Sequence, residues 1–570
     1  MTSLSRLICF SLILTIAVLL CTSSNTSAQT TDPKPKPVGS ISGRAIVGGK
    51  GAPGIAVAAY GGDSFNRRAL AQAITDGEGR YRLFGLAAGT YQVAALAPNY
   101  AAAEPASPSY FGPNMGLSKN IVMAAAENVE DVDLKLVRGG VITGRVKDAE
   151  GKPVVEQQVG LTLVDENGAP AKTQVPMSYN YQMYQTDDRG IYRIYGLPAG
   201  HYKVSVGSDS SRGAFSIGSR NYYQQTFFGD VSDQAKATVI ELSEGAETGN
   251  IDIQVGRRGE TYSATGRIVD ADSGQPVPGI RYMYGAAPKN QPYFAGGYVG
   301  IPTNARGEFR IDGLEPGRYG VSVSANFDSV DVYSDPAFFE VTDGDVSNIE
   351  VKATHGLSLS GVVVTDGITN KDVLAQVTLM RISASVASTS TPQTFNSGSS
   401  LIAGDGSFTI NGLRPGKAGL FLSAFGSPGI KGLSITRVER DGVDVTRALD
   451  LKADQPLTNL RVILVYGTGS IRGTVNFQNG TPPSRVFISA RREESSISNY
   501  NTQLDSRGRF LISNLPAGTY ELTLNIVYVA SQQQPQRRPP PPKQFVTVAD
   551  DAEAEVTFTV DLKAGEGGPL

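Results

Sequence analysis

Apolar and polar side chains alternate along much of this chain, with the period of two that places successive residues on opposite faces of a strand. The clearest run lies in residues 75–93, where Tyr81 and Leu83 alternate with Arg80 and Arg82 before a Gly-Leu turn and a second alternating run. One polar and one apolar face are typical of half-buried strands in an antiparallel sheet. The pattern therefore predicts two strands joined by a tight reversal.

The same segment returns at residues 186–204, 303–321, 402–420 and 504–522, and the copy at 402–420 is the weakest. Glycines occupy one equivalent position in all five copies: Gly79, Gly190, Gly307, Gly406 and Gly508. Their spacing of roughly 100 residues is that of whole domains, not of solenoid repeats. We expect these glycines to take a positive φ in a turn. The chain is thus predicted to be all-β, a tandem array of five antiparallel β-sandwiches.

We name the five units domains 1 to 5 and expect them at residues 39–138, 139–256, 257–355, 356–467 and 468–564. Each opens and closes on an alternating run. Domain 4 is divergent, because Ile402 and Ala403 replace a Thr-Asp pair and Ala418 replaces a tyrosine. Few residues separate one domain from the next, which predicts a stiff rod. A Pro-rich loop is expected at residues 531–543 and a Ser/Thr-rich hairpin loop at 388–400.

Residues 1–28 have the pattern of a signal peptide, with an apolar run too short to cross a bilayer and small residues before a cleavage site near Ala28. A Pro/Lys linker is predicted at 29–38. We expect a bacterial protein that is secreted, periplasmic or at the cell surface, with no transmembrane segment after cleavage. Both cysteines, Cys9 and Cys21, precede the cut, and lipidation of Cys21 is disfavoured because a leucine precedes it.

The composition excludes several classes of function. A net charge of −3 and a pI of about 5.7 argue against nucleic acid and against broad contact with anionic membranes. The two histidines, His201 and His355, fall in different domains and lack metal-ligand spacing. The sequence has no nucleophile elbow and no phosphate-binding loop. We therefore predict a protein that is not an enzyme and holds no cofactor.

Acidic residues in the repeated turns suggest calcium, but each turn offers only one or two carboxylates: Asp76, Asp187, Asp188, Asp405 and Asp505. Calcium needs six or more oxygen ligands, so hydrogen bonds from each carboxylate to the backbone of its own turn are the favoured reading. The repeated tyrosines have a structural reading too: Tyr91, Tyr202, Tyr319 and Tyr520 are expected to bury their rings and donate the hydroxyl to a turn carbonyl.

Aromatic residues outside the repeated segment form the best candidate binding surface. The candidates lie in domains 2 and 3: Tyr179, Tyr181, Tyr184, Tyr293, Phe294 and Tyr298. Exposed rings could stack on polysaccharide or contact a cell-envelope protein. The alternative is ordinary strand composition with half-buried rings, and the absence of tryptophan weakens the sugar reading.

Domain 2 resembles the carboxypeptidase regulatory-like domain. The resemblance rests on its Gly-x-Val opening, its closing strand and the segment Thr-Asp-x-x-Gly-x-Tyr-x-Ile-x-Gly-Leu-Pro-Ala-Gly-x-Tyr-x-Val between them. That family implies a seven-stranded, transthyretin-like sandwich related to B-type repeats of adhesins and pilins, and a non-catalytic role. Its adhesin relatives can carry Lys–Asn crosslinks, for which Lys147 and Asn250 are a weak match. The resemblance implies a structural, adhesive or spacer protein of the cell envelope; carbohydrate binding and a peptidase accessory are the alternatives.

Overall fold

The structure of the protein is a computed structural model. It describes residues 37–61, 68–103, 117–170, 184–207, 223–257, 259–287, 293–323, 331–387, 395–423, 429–447, 449–453, 455–480, 483, 486–493, 499–526 and 542–562. Residues 1–36, which include the predicted signal peptide and most of the linker, lie outside the described residues, as does nearly all of the predicted Pro-rich loop.

The described residues form an all-β chain with five separate hydrophobic cores. Each core draws its buried residues from one of the five predicted ranges, from residues 41–136 for the first to 471–560 for the fifth. The repeated segment supplies the centre of each core. In domain 2, for example, Tyr192, Ile194, Tyr202 and Val204 are almost completely buried. The alternation that predicted half-buried strands therefore places the apolar set inside each sandwich.

Strands β1 to β10 lie in domain 1 at Gly39–Val47, Lys50–Gly51, Ala56–Gly61, Ala71–Ile74, Arg80–Leu86, Gly89–Ala95, Tyr100–Ala102, Ser118–Met123, Asn128–Val129 and Leu134–Arg138. Strands β11 to β18 lie in domain 2 at Gly140–Lys147, Val159–Val164, Ile191–Leu197, Gly200–Val206, Thr226–Phe227, Ile240–Leu242, Glu247–Thr248 and Ile253–Gln254. A short 3₁₀ helix at Gln234–Lys236 precedes β16.

Strands β19 to β26 lie in domain 3 at Tyr262–Asp270, Tyr282–Ala286, Ala295–Val299, Glu308–Leu314, Gly317–Val323, Val332–Tyr333, Ala337–Val341 and Val346–His355. Domain 4 holds β27 to β35 at Leu357–Thr365, Arg381–Ala387, Phe395–Leu401, Ser407–Leu413, Gly416–Ser423, Leu433–Arg440, Val443–Asp444, Asp450–Leu451 and Leu457–Tyr466, with helix α1 at Lys371–Val377. Domain 5 holds β36 to β42 at Gly469–Gln478, Val486–Arg492, Asn499–Gln503, Arg509–Leu515, Gly518–Ile526, Lys543–Val548 and Glu553–Asp561.

Domain 5 shows the arrangement most simply, as two sheets with the strand orders β39-β36-β42 and β38-β37-β40-β41. The opening strand β36 pairs antiparallel with β39 and parallel with the closing strand β42. Domains 3 and 4 repeat that parallel pair, between β19 and β26 and between β27 and β35. The sheets are therefore mixed and not purely antiparallel as predicted. The two paired strands are the first and last of a domain, and parallel neighbours need a long crossover, which the rest of the domain supplies.

The repeated turn has the predicted backbone. All five equivalent glycines have φ between 69° and 84°. At Gly508 an added Cβ would also lie 2.8 Å from the carbonyl oxygen of Val475. The turn thus needs glycine for its dihedral angle and for the close approach of the opening strand.

The predicted tyrosine contacts are also confirmed. Each hydroxyl donates to the carbonyl four residues earlier: Tyr91 to Ala87 (2.7 Å), Tyr202 to Pro198 (2.6 Å), Tyr319 to Glu315 (2.9 Å) and Tyr520 to Pro516 (2.7 Å). A second set of tyrosines bonds the carbonyl just before the closing strand, at Tyr81 and Tyr192. These rings hold turns and are structural.

Domain 4 departs from the expectation for its Ser/Thr-rich segment. The sequence predicts a hairpin loop over residues 388–400. Residues 388–394 lie outside the described residues, whereas Phe395–Leu401 forms β29, which pairs with β28 along its whole length. The pairing outweighs the weak strand propensity of the serines, because an adjacent strand supplies a complete ladder of backbone partners.

Candidate binding surface

The six aromatic candidates for the binding surface differ in their exposure to solvent, and two of them lie outside the described residues. Tyr179 and Tyr181 lie outside the described residues. Tyr184 is 5% exposed and belongs to the core of domain 2, so its ring is not available at the surface. Tyr293 is 54% exposed and Phe294 is half-buried beside it. The backbone of Tyr298 lies in β21, paired in register with Tyr284.

Phe294 and Phe338 cover a glycine on the outer face of the second sheet of domain 3. Gly320 pairs with Phe338 on one side and with Gly285 on the other. A Cβ at Gly320 would meet the ring of Phe294 at 2.6 Å and that of Phe338 at 3.1 Å. An aromatic ring laid over a strand glycine restores packing that glycine lacks. Phe294 therefore has a structural role, and Tyr293 is the exposed ring next to it.

The same face carries one cation–π contact. The guanidinium of Arg318 lies 4.2 Å from the centre of the Phe338 ring. On the opposite, inner face of that strand, Tyr319 stacks on Phe339 with ring centres 5.7 Å apart. We define the outer-face patch of domain 3 as Tyr293, Phe294, Arg318 and Phe338. It combines aromatic surface with a positive charge, which suits a polar ligand that has an apolar face.

The turn carboxylates bind their own backbone. In domain 1 the Asp76 carboxylate accepts the backbone N–H of Glu78 (2.9 Å) and Arg80 (2.8 Å). The hydrogen bond from Arg80 is the main reason that the pKa of Asp76 lies below its ordinary value. Asp187 and Asp505 make the same pair of bonds, at 2.8 to 2.9 Å. Within the described ranges, no group of three His, Cys, Asp or Glu side chains is placed to hold a metal ion.

His355 has acidic neighbours that the sequence did not indicate. It ends β26, and its imidazole nitrogens lie 3.2 Å from the Asp270 carboxylate and 3.6 Å from that of Asp331. Its side chain is largely exposed, so these contacts contribute little to stability. The proposed Lys147–Asn250 crosslink is not supported by the register. Lys147 pairs with Gln254, whereas Ile251, next to Asn250, bonds Thr143, which lies four residues before Lys147 in the strand.

Three joints between domains share one construction, built on a glycine. The N–H of Gly139 donates to Asn99 (2.9 Å), that of Gly356 to Asp331 (2.7 Å) and that of Gly467 to Gly432 (2.9 Å), each in the preceding domain. The other side of each glycine packs on the turn between the two signature strands of the following domain, which reads Gly-Leu in domains 2 and 4 and Asn-Leu in domain 5. An added Cβ would lie 2.3 to 2.4 Å from backbone atoms of Gly196, Gly412 and Leu515, respectively. We call Gly139, Gly356 and Gly467 the joint glycines.

Arginines reinforce two of these joints. The Arg414 side chain is only 7% exposed and bonds Asp335 at 2.9 Å across the joint of domains 3 and 4, where it also lies 5.1 Å from the Tyr333 ring centre. Arg492 of domain 5 donates to the Thr436 hydroxyl of domain 4 at 2.8 Å. A buried arginine held by a carboxylate and a ring fixes the orientation of both sides.

The joint between domains 2 and 3 is built differently. Seven residues separate β18 from β19, against one residue at the first and third joints. An added Cβ at Gly256 would meet nothing within 4 Å, and the same holds at the turn glycine Gly313 of domain 3. At the first and third joints the equivalent turn glycines, Gly196 and Gly412, touch the linker. The second joint therefore lacks the close packing that the joint glycines provide.

Domains 1 and 5 touch each other, although they are farthest apart in sequence. The Asp505 carboxylate accepts the N–H of Val122 (3.1 Å), and the Arg507 guanidinium donates to the carbonyl of the same Val122. Glu127 receives Arg507 at 3.3 Å and Arg509 at 2.7 Å. The chain therefore turns back on itself and is not extended in the way that the predicted stiff rod implies. The sequence offers one signal, since only domain 5 combines Asp, Arg and Arg around its turn glycine.

Residues 470–561 match the family model of the carboxypeptidase regulatory-like domain. Domain 5 is therefore similar to the carboxypeptidase regulatory-like domain. Its hallmark contacts, the turn glycine with positive φ and the tyrosine bonded four residues back, recur in domains 1 to 3. No curated protein matches the chain. No helix in the described part of the chain is long and apolar enough to cross a membrane.

Similar solved structures include three pilins. A streptococcal ancillary pilin is 11% identical, covering 56% of this chain and 99% of its own, with a TM-score of 0.25. The minor pilin of Streptococcus agalactiae is 12% identical, covering 38% and 97%, with a TM-score of 0.18. The major pilin subunit of Bacillus cereus is 10% identical, covering 55% and 99%, with a TM-score of 0.14.

Proposed function

We propose that this chain is a non-catalytic, exported array that holds its domains, and any partner bound to them, at fixed positions in the cell envelope. The observation that carries the proposal is the construction of the three joints with a joint glycine. A one- or two-residue linker hydrogen-bonded to one domain and packed on the next leaves little rotational freedom. Such joints suit a protein whose function is to hold its domains at fixed distances and orientations.

Fractionation of the producing cell, followed by pull-down with the tagged full chain, tests this proposal. We expect the protein in the envelope or medium fraction, together with an envelope component that is lost when a joint is opened by Gly356→Ala. The matched variant Gly256→Ala, at the loosely packed second joint, should retain that component. A cytoplasmic location, or equal retention by both variants, would contradict a geometric role.

Carbohydrate binding is a second candidate, favoured by the exposure of Tyr293 within the outer-face patch. A sugar ring stacked on an exposed tyrosine gains about 1 kcal/mol beyond area burial. We therefore expect Tyr293→Ala to weaken binding on a polysaccharide array roughly fivefold or more. Phe545→Ala, which removes a similarly exposed ring from domain 5, is the control and should change nothing. If both variants bind as the parent does, domain 3 is not the sugar site, and Tyr179 and Tyr181 of domain 2 become the next positions to test.

A further inference from the structure

We propose that the Asp505–Arg507 pair of domain 5 binds the unpaired edge of a β-strand. The strand that it binds is β8 of domain 1 in the same molecule. This contact closes the five domains into a ring. The contact goes beyond the proposed spacer function, because it decides the shape in which the domains are presented. It rests on an edge strand, on a cluster of charges and on one loosely packed joint.

The edge strand comes first. In the part of the chain that the structure describes, strand β8 is the last strand of the sheet β4-β3-β6-β8 and pairs with β6 on one side only. The N–H and carbonyl of an edge strand normally face water or attract another strand. At Val122 both groups point to domain 5, where Asp505 accepts the N–H and Arg507 donates to the carbonyl. One acidic and one basic side chain thus take the place of a neighbouring strand.

The turn of domain 5 holds the Asp505 and Arg507 side chains in the positions that bind Val122. One Asp505 oxygen accepts the N–H groups of Arg507 and Arg509, both at 2.8 Å, and the other oxygen accepts the N–H of Val122 and the guanidinium of Arg507. The Asp505 side chain is completely buried by the contact. In domain 2 the equivalent Asp187 and Arg189 bond each other, but the Arg189 side chain is 71% exposed. The turn alone therefore does not bury the pair.

Charge complementarity completes the contact. Glu127 lies in the turn between β8 and β9 and receives both Arg507 and Arg509. Its carboxylate also accepts the N–H of Ala124 at 2.7 Å, which fixes its position. At the turn positions of Arg507 and Arg509, domain 1 has Glu78 and Arg80, and domain 3 has Arg306 and Glu308. Only the domain 5 turn presents two cations beside the aspartate.

The second joint allows the chain to close. Gly256 and Gly313 stand clear of neighbouring atoms there, whereas the joint glycines lock the other three joints. A small contact suffices to hold a ring, because the two ends belong to one chain and meet at a high effective concentration. The same contact between two separate molecules has no such effective concentration and depends on the protein concentration in solution. Contact within one molecule is therefore favoured.

Crosslinking in the full chain tests the proposal. Ala125→Cys and Ser506→Cys place thiols beside the two halves of the contact, with Cys9→Ser and Cys21→Ser removing the native ones. A short bismaleimide applied to dilute protein should give a crosslinked monomer. Arg507→Ala should reduce the yield at least about tenfold, because the Val122 carbonyl loses its donor and Glu127 keeps only its bond from Arg509. Arg189→Ala, at the equivalent exposed position of domain 2, should leave the yield unchanged.

A second variant separates the contact from the fold of the turn. Asp505→Asn keeps an oxygen for the two turn N–H groups but offers an amide to the Val122 N–H, so the yield should fall while the circular dichroism spectrum is unchanged. Small-angle scattering should show a larger radius of gyration for both contact variants. Crosslinked dimers in place of monomers, or a yield unaffected by Arg507→Ala, would overturn the proposal.

Discussion

The variant Gly356→Ala opens the joint between domains 3 and 4. Its Cβ would lie 2.4 Å from the carbonyl carbon of Gly412 and 2.5 Å from its Cα, and these are backbone atoms that cannot rotate away. The joint must therefore separate, and the Arg414 contacts with Ser334 and Asp335 are lost with it. Overpacking of this kind costs about 1–3 kcal/mol.

Hydrogen–deuterium exchange measures that opening directly. A loss of about 1–3 kcal/mol raises the open fraction of the joint roughly 5- to 150-fold. Peptides that cover residues 346–365 should exchange faster by that factor, while peptides from domain 5 should not change. Gly256→Ala is the matched control, because its methyl group meets nothing within 4 Å. Unchanged exchange in Gly356→Ala, or equal effects of the two substitutions, would show that the joint glycines do not lock the joints.

At alkaline pH, the ionisation of buried tyrosines should destabilise domain 2 strongly and domain 5 about half as much. Domain 4 should lose no stability from tyrosine ionisation. Burial raises the pKa values of Tyr192 and Tyr202 in domain 2 and of Tyr520 in domain 5 far above their ordinary value. Domain 4 has Phe408 and Ala418 at the two positions. In the unfolded chain these tyrosines titrate near pH 10. The unfolded state therefore releases protons first, and stability falls as the pH rises above about 10.

The expected size is about 1.4 kcal/mol per pH unit for each buried tyrosine, hence about 4 kcal/mol for domain 2 and about 2 kcal/mol for domain 5 at pH 11.5. The sequence contains no tryptophan, so a single introduced tryptophan reports only its own domain. Phe228→Trp, Phe421→Trp and Phe545→Trp serve domains 2, 4 and 5 in urea unfolding at pH 8 and 11.5. Equal losses in domains 2 and 4 would contradict the assignment of the effect to these tyrosines.

Removing the hydroxyls provides the complementary control. Combined Tyr192→Phe and Tyr202→Phe should abolish the alkaline loss in domain 2. At pH 8 the same change should cost about 1–3 kcal/mol for each carbonyl left without its donor, since the Ile251 and Pro198 oxygens are bonded only 2.6 Å from these hydroxyls.

The sequence by itself determined the local structure of each domain. The alternation of apolar residues fixes which face of a strand is buried, and the turn glycines and the tyrosines each need one local conformation or one partner four residues away. For that reason the sequence predicts the positive φ of Gly508 and a bond from the Tyr520 hydroxyl to a turn carbonyl, which the structure identifies as that of Pro516.

The tertiary structure alone decided how the domains meet and which aromatic rings are exposed. The contact of Val122 with Asp505 joins residues 383 positions apart, and no periodicity in a sequence encodes such a pair. The burial of Tyr184 and the exposure of Tyr293 likewise depend on the strands that fold over them. Local sequence patterns determine the dihedral angles of a segment and which of its faces is buried. The joints between domains, the contact between domains 1 and 5 and the exposed surfaces depend on how distant segments pack.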